Sequence, residues 1–176
     1  AGSAPSEELF VRWVQNGIFQ PRFSIHSASS DNTVTEPWMF KNSTDIIKDA
    51  INFRYKLTPY FYSLEYEASK CGSPIMRPLV YEFQNDENTF DESFEFTLGR
   101  DILVANVIEE NAKSVEVYLP KGSTWYDYND NFKKYEGGQT ISIPVDISTI
   151  PMFIRSGAII PMSGNKLSSM AMDKVE

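Results

Sequence analysis

The chain is short of the residues that build most reactive or covalent sites. It holds one cysteine, Cys71, and one histidine, His26, among 176 residues. A disulfide framework and a cysteine-based zinc cluster are both excluded. A thiol nucleophile wants a histidine partner; His26 is the sole candidate, and nothing local pairs it with Cys71. Cys71 is expected as a buried, inert side chain at a helix end. No stretch approaches the roughly 18 apolar residues needed to span a bilayer, so no membrane partner is expected. Positive charge is scarce too: 16 Lys and Arg stand against 24 Asp and Glu, a formal net charge of -8. Such a chain repels phosphate backbones and has no basic cluster to offset this, so no nucleic-acid partner is expected. No signal peptide is expected within these residues, and any would lie upstream of them. The chain opens Ala1-Gly2-Ser3-Ala4-Pro5, without methionine, which reads as a cut from a longer protein.

What is present is apolar and aromatic. Hydrophobic residues make up 41% of the chain, enough for a packed core. A first helix is expected over residues 5–16, capped by Ser3 or a neighbour, with Pro5, Glu7 and Glu8 in its first turn. Leu9, Phe10, Trp13 and Val14 fall on one face, and Gly17 supplies the stop. A short extended stretch, 20–25, ends at His26, and a polar loop, 27–35, turns at Asp31-Asn32. A second helix starts at Thr44-Asp45 and runs to Gly72, kinked at Pro59, which removes a backbone donor and crowds the carbonyl of Tyr55. From Ile75 the pattern becomes β-rich. Strands are expected at 75–83, 94–98, 102–108, 114–119, 124–127, 139–145, 152–154 and 158–160. Val115, Val117 and Leu119 alternate with Glu116 and Tyr118, as in a half-buried strand.

A helix–strand–helix piece cannot bury its faces without sheet partners, so residues 1–84 read as the closing part of an α/β barrel. Residues 85–162 read as an antiparallel sandwich, and 163–176 as a linker towards a further domain. The expected fold class is α+β: the last helices and strand of a (β/α)8 barrel, then an antiparallel β-sandwich.

Six stretches carry a more specific signal. They are ELFVRWVQNGIFQP at 8–21, with His26-Ser27 soon after; RYKLTPYFYSL at 54–64; PIMRPL at 74–79, with Glu82-Phe83; LGRDILVA at 98–105; YLP at 118–120, with Trp125-Tyr126-Asp127; and IPMFIRSGAIIP at 150–161. In order and spacing they resemble glycoside hydrolase family 31, over nearly the whole chain. One departure is local: family members often carry Arg-Asn just before the histidine, where Ser24-Ile25 stand here. The resemblance implies a parent enzyme that is a retaining, exo-acting α-glycosidase without a metal or organic cofactor. Its substrate would be an oligosaccharide or α-glucoside. In such enzymes an aspartate nucleophile and an aspartate acid/base stand about 5–5.5 Å apart and work through a covalent glycosyl-enzyme. Neither motif occurs here, so both are expected upstream of Ala1 and the isolated chain is expected to be inactive. The resemblance also implies that His26 contacts the sugar.

From the residues alone, His26 reads more readily as a histidine that satisfies a loop carbonyl. The family pattern reverses that preference and makes His26 a substrate-positioning residue that carries no proton chemistry. Asp31 fits turn chemistry, Asp45 helix-end electrostatics, and Glu109-Glu110 a solvated turn. Trp38 suits a rim position. Trp125 and Tyr126 suit a sandwich core or the packing between sandwich and barrel, although the aromatic content of the β-block supports a second reading of it as a carbohydrate-binding or interaction module. Arg77 and Arg155 read as structural, bonding carbonyls or a carboxylate. Phe10, Trp13 and Tyr60 would be exposed without neighbouring strands, so the isolated chain is expected to associate as a homo-oligomer. A cytoplasmic location is the working expectation.

Overall fold

A computed structural model describes residues 4–27 and 34–164. Asp31 and most of the 163–176 linker lie outside the described residues. The chain divides into two compact units: residues up to Tyr60 together with the segment from Pro161, and residues 61–160.

In the first unit, α1 spans Glu7–Gly17 and α2 spans Thr44–Lys56. The side chain of Ser6 caps α1 by accepting from the Leu9 amide; Ser3 lies outside the described residues. The buried stripe of α1 is Phe10, Val11 and Val14, continued by Ile18; Leu9 and Trp13 are 57% and 67% exposed. The expected Leu9–Trp13 face is thus turned outward. α1 packs on α2, and Phe10 meets the Phe40 ring at 5.9 Å, which favours the stripe one residue round. Phe10 and Tyr60 are both buried, against expectation; only Trp13 of that trio is exposed. Residues 20–25 form no strand, because among the described residues no neighbouring strand offers them a ladder.

The break near Pro59 is present. α2 stops at Lys56, the Leu57 amide shares the carbonyls of Phe53 and Arg54, and α3 resumes over Thr58–Cys71. No residue of α3 beyond Leu64 is buried, so Cys71 is exposed rather than buried. Its Sγ lies 3.1 Å from the Glu67 carbonyl and 3.1 Å from Ser73 Oγ. The hydrogen bond with the Ser73 side chain is the main influence holding its thiol below the ordinary range.

The second unit is a two-sheet sandwich. Its strands are β1 Met76–Pro78, β2 Glu95–Leu98, β3 Ile102–Ala105, β4 Ser114–Leu119, β5 Thr124–Asp127, β6 Lys133–Glu136, β7 Gln139–Pro144 and β8 Met152–Arg155. Six form one antiparallel sheet, ordered β1-β2-β3-β8-β5-β6; β4 and β7 pair in the other. Leu103, Ala105 and Phe153 from the first sheet and Val117, Leu119 and Ile143 from the second share one apolar core around Trp125.

Three local expectations change. The 75–83 stretch is a strand only to Pro78; Leu79–Glu82 is a helical turn, α4, because Pro78 has no amide with which to extend the ladder. Leu79 and Phe83 thereby join the core. The 158–160 stretch is no strand: Gly157, at φ 83°, turns the chain off the sheet, and Ile159 is left 86% exposed. β6 was not expected. It is an edge strand whose Lys133 and Lys134 face water, so it needs no apolar alternation.

Candidate functional site

His26 lies on the segment that leaves α1, and it is exposed. Arg54, on α2, builds the path to it. Arg54 Nη1 donates to the carbonyls of Ile18 and Gln20 at 2.6 and 2.7 Å, and Nη2 donates to Pro21 at 3.1 Å. The same guanidinium lies over the Phe23 ring, 5.6 Å from its centre. One planar fork thus ties down three carbonyls where the helix has run out of partners. Phe19 and Phe53 meet edge to face at 6.3 Å and fix the same corner. Gly17 is required by close approach: a Cβ there would stand 2.8 Å from the Phe23 ring.

Beyond His26, Ser27 Oγ accepts from the Thr35 amide at 2.6 Å. This hydrogen bond holds Ser27 beside Thr35, so the segments bearing His26 and Trp38 leave from one base. Trp38 is 62% exposed. An exposed imidazole and an exposed indole offer complementary sugar contacts: a ring N–H for a hydroxyl and a flat apolar face for a pyranose. Neither supplies a nucleophile or a strong acid.

Asp45 sits in the first turn of α2, and Glu109 and Glu110 lie exposed in a turn. Arg77 is 3% exposed and structural: it donates to the Pro74 carbonyl, to Glu82, and to Glu67 at 3.2 Å. Arg155 donates to Ser123 Oγ at 2.7 Å and covers the Phe83 ring.

Trp125 is fully buried; its indole N–H donates to the Pro120 carbonyl at 3.1 Å and its ring packs on Phe83. A sugar cannot stack on Trp125 in this position. The β-sandwich does carry an open cleft of about 810 Å³, lined by Arg100, Asp101, Ser123, Thr124, Glu136 and Arg155 among others. No aromatic residue lines it, so it lacks a stacking surface.

The sequence singles out His26 and Trp38 but not Arg54. The signal for Arg54 was its place in the 54–64 stretch, where an arginine begins a run otherwise rich in apolar residues.

Residues 1–64 match the TIM-barrel domain of glycosyl hydrolases family 31, and residues 72–160 match the C-terminal domain of the same family. The chain belongs to glycoside hydrolase family 31, as the closing part of the barrel and the β-domain that follows it. Among curated relatives, neutral alpha-glucosidase C of Macaca fascicularis is 46% identical over 160 residues, covering 90% of this chain and 20% of the relative. Human neutral alpha-glucosidase AB is 43% identical over 159 residues, covering 89% and 17%. A family 31 dextranase from Flavobacterium johnsoniae, solved with isomaltotriose, superposes with a TM-score of 0.82 at 40% identity, covering 88% of this chain and 19% of the dextranase. The chain therefore spans about a fifth of the length of these relatives.

Proposed function

We propose that these 176 residues are the carboxyl-terminal side of a retaining, exo-acting α-glycosidase that removes terminal α-linked glucose or a related sugar from oligosaccharides. The carboxylate nucleophile and the acid/base lie in sequence outside this chain. The chain contributes His26, which donates a hydrogen bond to a sugar hydroxyl at the mouth of the barrel, and Trp38 at the rim. The observation that carries this reading is the exposed His26 on a segment held by Arg54, inside the stretch that matches the family's barrel. Positioning by His26 lowers the barrier through orientation and leaves the proton chemistry elsewhere.

The test has two arms. The purified 176-residue chain is expected to show no turnover of nitrophenyl α-glucoside. In the intact enzyme, His26→Ala is expected to lower kcat/KM by about 10–100-fold, the loss expected for one hydrogen bond that orients a sugar, while the pH profile keeps its shape. Turnover by the isolated chain that survives His26→Ala would refute this division of labour.

A further inference from the structure

Two carboxyl groups of the β-sandwich are buried beside one tyrosine and are served in opposite ways. Asp86 is 3% exposed. Its Oδ2 accepts from the Tyr118 hydroxyl at 2.7 Å and the Lys121 amide at 2.8 Å; its Oδ1 accepts from the Asn88 amide at 3.3 Å and lies 3.7 Å from Lys121 Nζ. Glu95, on β2, is 6% exposed. It receives one donor, the Tyr118 amide, 2.7 Å from Oε1. Its Oε2 is buried without a hydrogen-bond partner.

Register shows where Glu95 points. It stands directly opposite Ala105 of β3, so the two share a face, and Ala105 belongs to the apolar core with Val117 and Leu119 of β4. Its single hydrogen bond crosses from the six-stranded sheet to the two-stranded one. The charges nearby are committed elsewhere or repel an anion: Arg77 of β1, opposite Thr97 and so on this face, donates to Glu82 and Glu67. Glu92, on the approach to β2, is negative and repels Glu95. The Tyr118 phenol is turned to Asp86 and Asn88, and Lys121 is engaged by Asp86. β3 offers Ala105 opposite it, and Thr97, which shares its face on β2, has a hydroxyl that is itself buried without a partner. Among the described residues, no Lys or Arg pairs with Glu95.

We propose that Glu95 is kept as a neutral carboxylic acid at the seam between the two sheets, and that its ionisation admits water to the seam: a switch that loosens the sandwich in alkaline conditions. The geometry leaves a charged Glu95 with one donor, where Asp86 beside it has several. Burial, the dominant cause, pushes the Glu95 carboxyl up to about 8; the Tyr118 amide opposes the shift and Glu92 adds to it. An unfolded Glu ionises near about 4.3. The neutral acid's contribution to stability is therefore full below that pH, declines as pH rises, and is lost by about pH 8.

The experiment is a carboxyl ¹³C NMR titration of the Glu-labelled 176-residue chain from about pH 4 to 10, beside amide exchange at Tyr118, in wild type and Glu95→Gln. One Glu resonance should titrate near 8 and vanish in E95Q. Between about pH 7 and 9, Tyr118 protection should fall roughly tenfold further in wild type than in E95Q, whose amide cannot ionise. A wild-type chain in which every Glu titrates below about 6 would overturn the proposal even if E95Q failed to fold. Identical pH slopes of protection in the two chains would also overturn it.

Discussion

Arg54→Met removes three donors while keeping a long apolar stem on α2. The Ile18 and Gln20 contacts are half-buried and close, at 2.6 and 2.7 Å; the Pro21 contact, at 3.1 Å, is exposed. Hydrogen bonds to a charged group contribute roughly 1.5–3 kcal/mol each when buried. Water replaces the donor at Pro21 and partly at the other two, so the expected cost is about 2–4 kcal/mol. Arg54→Lys keeps the charge but offers a point donor that cannot bridge carbonyls of three residues, so it should recover less than half of the loss. The assay is urea denaturation of all three chains, with deuterium exchange over residues 18–27 reporting on the segment itself. Met should speed exchange there, and in the intact enzyme it should raise KM more than it lowers kcat, because His26 is displaced rather than removed. If Arg54→Met lost less than about 0.5 kcal/mol and left exchange over 18–27 unchanged, the positioning role assigned to Arg54 would be wrong.

Trp125→Ala should cost roughly 3–5 kcal/mol for the cavity, with a further ~1 kcal/mol for the Pro120 carbonyl left without its donor, measured by thermal unfolding of the sandwich. Sugar titration by calorimetry should show no binding to lose, and a well-folded W125A chain would contradict the core assignment. Asp86→Asn addresses the acid limb of stability. Burial alone would raise the Asp86 carboxyl, but the hydrogen bonds from Lys121, Tyr118 and Asn88 together hold it below the usual carboxylate range. Its contribution is present above the unfolded value of about 3.9 and is lost as pH falls through the lower folded value. Wild type should therefore lose stability below about pH 4 more steeply than D86N, in urea midpoints taken across that range.

Much of the architecture is local chemistry and could be read from the chain. The strands Ser114–Leu119 and Thr124–Asp127 lie where their alternation and flanking turn residues put them. The interruption before Pro59 follows from a missing amide, which no tertiary contact can restore. Composition alone excludes a disulfide scaffold, and the order and spacing of the motifs carry the family signal without any tertiary contact.

Other features were decided only by neighbours distant in sequence. α1 has two apolar stripes, and the packing of α2 and Phe40 chose the one that buries Phe10 rather than Trp13. Lys133–Glu136 became a strand because β5 offered it an edge, not because its residues prefer one. Nothing in Phe94-Glu95-Phe96 marks Glu95 as different from the other acidic residues of the chain. Its character comes from Ala105 opposite, the core behind it and a single amide across the seam, since the cost of a charge is set by the medium around it rather than by the residue that carries it.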